Sequence, residues 1–75
     1  MPTINIAIPD RCHLENVPRG EAAMLYAEMI LRLGKQPKIQ TVECEDENGK
    51  PETTTIIYRH PVTDDVLLQF TVRHD

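Results

Sequence analysis

The sequence predicts an α+β fold of two layers, β-α-β-β-β, with one helix packed on a four-stranded mixed sheet. Three observations predict it. Residues 3–8, TINIAI, alternate in the two-residue period of a half-buried strand. Residues 21–34, EAAMLYAEMILRLG, are rich in helix formers and stop at a glycine. Beyond residue 37, two turn signals divide three strand-like runs. With 75 residues the chain has room for one domain, residues 1–75, and a small core.

Ile4, Ile6 and Ile8 take one face of the first strand, and Pro9 ends it. Residues 10–17, DRCHLENV, read as a polar connector. Proline is favoured in the first turn of a helix, so the helix is predicted to begin near Pro18, with Asn16 as its cap. Gly34 is the predicted stop, and Pro37 prevents continuation. KIQTVECE, residues 38–45, is a second strand of weaker pattern. In ENGK, residues 47–50, Asn-Gly calls for a tight hairpin turn with positive φ at both central positions. TTTIIYRH, residues 53–60, is the third strand, and HPVTDD, residues 60–65, is a turn pre-set by Pro61. VLLQFTVR, residues 66–73, is the fourth, with Val66, Leu68, Phe70 and Val72 on one face. The last three strands are expected to form a meander. The first strand is expected beside the fourth, the more apolar of its candidate neighbours.

The net charge of −4 is unevenly spread: residues 1–42 carry +1 and residues 43–75 carry −5. No basic patch of any size is present, which argues against nucleic acid as a partner. The chain contains no serine, so serine-nucleophile chemistry is excluded. Cys12 and Cys44 are too few for the disulfide framework of a small secreted domain. MPTINIAI lacks the basic region and long apolar run of a signal peptide, and no apolar run reaches the length of a membrane span. A cytoplasmic chain with free thiols and no membrane partner is expected.

The helix raises the main question of function. Glu21, Glu28, Arg32 and Lys35 fall in one narrow polar sector. Ala22, Tyr26, Met29, Ile30 and Leu33 form one apolar stripe. Met24, Ala27 and Leu31 form a second, roughly 160° away at the helical rotation per residue. One sheet buries one stripe. The second is expected to meet a second subunit, most simply in a homodimer or higher homo-oligomer, or another protein partner.

Other residues bear on chemistry. RCH, residues 11–13, precedes the helix, where Arg11, His13 and Arg19 are candidates to hold an anion with the helix N-terminal amides. Cys12, His13, Cys44, His60 and His74 offer metal-ligating atoms, so a thiol/imidazole metal-binding protein is one alternative. Their spacing matches no zinc pattern, and neither a metal nor a cofactor is assigned. Glu43, Glu45, Asp46, Glu47 and Glu52 crowd the tip of the predicted hairpin, as a solvated edge or a docking tip for a basic partner.

The opening MPTINIAI, the arginine at position 11 and the helix ending LGKQP resemble the tautomerase superfamily. Members begin at a proline once methionine is removed, then run strand, loop, helix, strand. The resemblance spans residues 2–45; the glycine-poor remainder has no glycine-rich closing hairpin. It implies an isomerase in which the free amine of Pro2 is the base and Arg11 binds a carboxylate or keto-acid oxygen. The residues themselves favour a non-catalytic interaction module that self-associates through its helix, as an accessory or regulatory protein.

Overall fold

In the computed structural model, which describes residues 4–9 and 12–74, the three alternating isoleucines make β1, Ile4–Ile8. The chain turns back at once into β2, Cys12–Val17. Then follow α1, Arg19–Leu33; β3, Lys38–Glu45; β4, Pro51–Arg59; and β5, Val66–Arg73. The strands form one sheet in the order β2-β1-β5-β4-β3, and every neighbouring pair is antiparallel. The last three strands are a meander, and β1 lies beside β5 as expected.

The expected four-stranded mixed sheet is therefore corrected to a five-stranded antiparallel one, in the order β-β-α-β-β-β. The missed strand is β2, which lies within the stretch read as a connector. A period-two pattern marks a strand where one face is buried and the other is wet. β2 is an edge strand whose first five residues are exposed, so only Val17 had to be apolar. The sheet is antiparallel throughout because β2 returns alongside β1 before the helix starts. α1 then carries the chain from one edge of the sheet to the other, where β3 begins.

The boundaries show which local signals operated. Asn16 is not the helix cap. It sits within β2 at positive φ, beside an irregularity in the β1–β2 register, and its amide donates to Asn5 Oδ1 at 3.1 Å. Pro18 is the N-cap, without a side-chain cap bond, and its carbonyl accepts from the Ala22 amide. Gly34 ends the helix in the left-handed conformation, φ 71°, and its amide donates to the Ile30 carbonyl. In the β3–β4 turn only Gly49 has positive φ; Asn48 does not. The two-residue turn is replaced by a longer one organised by Asp46. Its carbonyl accepts from Gly49, and its Oδ1 accepts from Asn48 and Lys50 at 2.9 and 3.0 Å. A turn followed by a left-handed glycine is the next most common hairpin solution.

Cross-strand pairing fixes the faces. Ile6 opposes Phe70, Phe70 opposes Ile56, and Ile56 opposes Thr41, so these four share the side that carries α1. The core is Ile6, Val17, Ala22, Tyr58, Leu68 and Phe70, with Leu25, Tyr26 and Met29 of α1 packed against it. Tyr58 joins helix to sheet: its ring lies 5.0 Å from that of Tyr26 and 5.5 Å, edge-on, from that of Phe70. Such geometries suit the charge distribution of aromatic rings.

The helix is off-centre. α1 packs on β1 and β5, while every residue of β3 is exposed. The radius of gyration, 13.0 Å, goes with an elongated shape of 40 × 23 × 20 Å; a compact chain of this length would give about 11 Å.

Candidate functional site

The outer surface of α1 and the open sheet beside it carry exposed apolar side chains, among them Met24, Leu31 and Ile39. On α1, Ala22, Leu25, Tyr26 and Met29 face the sheet. One flank, with Glu21, Met24, Leu25 and Glu28, borders Leu14 and Val17 of β2. The opposite flank follows Tyr26 towards β4. The two predicted interface residues with long side chains are open to solvent: Met24 at 67% and Leu31 at 81% exposure. Ala27 is exposed with them.

On the helix side, in line there with Thr41 and Glu43, β3 leaves one further apolar side chain open that the sequence did not single out. Ile39 opposes Tyr58 and so lies on the helix side, yet it is 58% exposed. Thr41, two residues on, shares that side. Residues of this strand alternate only weakly in hydrophobicity, so its apolar side was not legible from its pattern. The available signal was register: once Tyr58 is known to be buried, its partner Ile39 must share its face.

A groove of about 530 Å³ opens beneath the C-terminal half of α1, with Ile8, Leu25, Met29 and Leu68 among its walls. Glu28, Arg32 and His60 also line it. The His60 ring is fixed by its own turn, since Nδ1 accepts from the amides of Val62 and Thr63 at 3.1 and 3.2 Å. Its proton is thereby directed to Nε2.

The remaining candidates are scattered. Pro2 and Arg11 lie outside the described residues. His13 opposes Ala7 and so stands on the sheet face away from the helix, 3.9 Å from the carboxylate of Glu15. Arg19, the first residue of α1, is on the helix side, so the two are not brought together. Cys12 and Cys44 are free and exposed on β2 and β3, the two opposite edges of the sheet. His74 pairs with Thr54 Oγ1 at 2.6 Å. Among the described residues, no three of His, Cys, Asp and Glu gather as a metal site. The acidic cluster does surround the β3–β4 turn, and all five of its members are exposed. Asp46 also has a structural task there, holding two amides of the turn.

Burial pushes the Tyr58 hydroxyl above its ordinary pKa of 10.0, and the neighbouring Tyr26 adds to the rise. The neutral phenol is therefore the form this core accommodates. No described helix is long and apolar enough to cross a membrane. Compared with protein-family models, curated proteins and solved structures, the chain matches none.

Proposed function

We propose that this chain is a non-catalytic interaction module that self-associates through the outer face of α1. The observation that carries the proposal is Leu31: a leucine in the last turn of α1, 81% exposed, on a helix whose inner face already packs on the sheet. A single exposed leucine is ordinary. Met24 and Ala27 stand exposed with it, and together they make a continuous apolar strip on a domain whose described core is only six buried residues. Small domains commonly recover stability by burying such a strip between subunits.

The test is Leu31→Glu, examined by native mass spectrometry and circular dichroism. Leu31 makes no part of the core, so the variant keeps its helix and strand signals. Its mass falls from that of an oligomer to that of one chain. An unchanged oligomer mass in a folded Leu31→Glu protein removes the proposal. Wild-type chain that is monomeric at high-micromolar concentration removes it equally.

A further inference from the structure

We infer that His60 is an acid-sensitive latch: its neutral ring pins the β4–β5 turn, and a second proton on that ring releases the turn at the wall of the groove beneath α1.

The latch follows from the backbone of the turn. Residues 60–65 join Arg59 of β4 to Val66 of β5. Two backbone bonds close the loop. The His60 amide donates to the Asp65 carbonyl at 2.8 Å, and the Asp64 amide donates to the His60 carbonyl at 3.0 Å. The amides of Val62 and Thr63, at the tip, find no backbone carbonyl among the described residues. Both donate instead to one atom, Nδ1 of His60, at 3.1 and 3.2 Å. Thr63 in turn holds Asp65, since its Oγ1 donates to Oδ2 at 3.0 Å. These bonds offset a conformational cost, because Asp64 stands in the left-handed region at φ 66° without being glycine.

A ring nitrogen accepts only while its lone pair is free. The neutral imidazole offers that lone pair on Nδ1 and keeps its proton on Nε2; the imidazolium carries protons on both and accepts on neither. The second proton therefore arrives on the atom that two amides already use. It turns an acceptor into a donor facing two donors, so the ring and the tip must part. Imidazole makes this change between about pH 5 and pH 8. The bonds at the tip are thus fully present where the ring is neutral and are lost as pH falls.

The surrounding charges do not override this. Among the described residues, α1 brings Glu28 and Arg32 to the groove that His60 also lines. The loop brings Asp64, Asp65 and the adjoining Arg59, whose Nη1 donates to the Asp64 carbonyl at 3.3 Å. Lys38 of β3 pairs with Asp64 at 3.9 Å. β1 and β5 bring only apolar residues to this wall. Carboxylates favour the imidazolium and cations oppose it. With Glu28, Asp64 and Asp65 set against Arg32, Arg59 and Lys38, neither sign prevails, and the two amides decide. The release has a defined place: Val66 and Leu67, which follow the loop directly, line the groove opposite Leu25 and Met29 of α1. Neutral His60 therefore holds one wall of the groove, and charged His60 loosens its outer end.

Asparagine separates the latch from the titrating ring. In His60→Asn, Oδ1 replaces Nδ1 as acceptor for the amides two and three residues on, a turn that asparagine favours ahead of proline, and it carries no proton to gain. In nitrogen-15-labelled chain, protection of the Val62 and Thr63 amides from solvent exchange is followed from about pH 8 to about pH 5, while the carbon-bound ring protons of His60 report its charge. Wild type should lose about fivefold or more of that protection, in step with the ring. His60→Asn should keep it throughout, and His60→Ala should lack it at both ends. His13 and His74 remain in every variant, so neither produces the difference. Wild-type protection that persists once the ring is charged overturns the latch. A loss of the same size in His60→Asn overturns it too, by assigning the response to other groups.

Discussion

The two halves of the sheet were made from similar residue types and met different fates. Beneath α1, three apolar residues of β1 and β5 are sealed: Ile6 has no exposed surface, and Leu68 and Phe70 are buried. In the β3–β4 hairpin, Ile39 on that same side remains open, and β3 has no buried residue at all. Side-chain chemistry does not separate the halves, since isoleucine and valine occur in both. What separates them is the path of one helix. A hydrophobic residue stabilises a fold only where a second layer excludes water from it. The hairpin half supplies hydrogen-bonded strands, but inside one chain the second layer reaches only its inner strand, where Tyr26 of α1 covers Tyr58, and leaves β3 open.

That contrast is broken first by truncation on each side of it. Phe70→Ala removes the ring that supports Tyr58 and is expected to cost about 3–5 kcal/mol. A 75-residue domain has a total stability of about 4–11 kcal/mol, so this variant loses roughly a third of it or more. Ile39→Ala, on the same side of the same sheet, should cost under about 1 kcal/mol in dilute chain, where the side chain is mostly in water. Urea titration measures both. Comparable losses would mean that the hairpin half has cover within the chain. An Ile39→Ala loss that grows with protein concentration would sharpen the contrast, because the missing cover would then be another subunit.

The same division explains what the sequence disclosed. β1, β5 and the end of α1 were legible because burial imposed a period on them or a left-handed residue stopped them: Ile4, Ile6 and Ile8; Leu68 and Phe70; Gly34. β2 was not, because an exposed edge strand is free to use CHLEN, which reads as loop. The sheet class went wrong with it, since one unseen strand changes the direction of everything that follows. Of the candidate site, the exposure of Met24, Ala27 and Leu31 was legible by counting helix faces against available layers. The open position of Ile39 was not, because which side of β3 carries it depends on its register with Tyr58, a non-local fact.

Effects of middle size test the two ends of the uncovered half, where backbone geometry replaces packing. Gly34 has φ 71° and open space around its missing side chain, so Gly34→Ala meets no clash. Its cost of about 1 kcal/mol is conformational alone. Asp46→Ala removes the acceptor of two amides in an exposed turn and should cost about 1 kcal/mol as well. The two differ in what else they move. Gly34 sets where the chain leaves the helix to cross towards β3, so its variant should also loosen any dimer. Asp46 sits at the far tip and should leave dimer mass unchanged. A dimer lost in Asp46→Ala would place the contact at the acidic tip instead.

The smallest effect lies at the seam between the halves, in the ionisation of Tyr58. Its pKa in the folded chain is raised above 10.0, by burial first and by Tyr26 second. The unfolded chain, with an ordinary phenol, loses its proton earlier as pH rises. The favourable contribution of the neutral phenol is thus fully present below pH 10.0 and is lost as pH climbs through the raised folded value. Stability should hold flat from neutrality to the ordinary tyrosine range and decline above it. Phenolate absorbance followed against pH, alongside circular dichroism, checks this. Tyr58→Phe keeps the ring between Tyr26 and Phe70 and removes the ionisable group. It should retain the fold and lessen the alkaline decline. An identical decline in Tyr58→Phe would assign the alkaline sensitivity to other groups, and the ring at the seam would then act by packing alone.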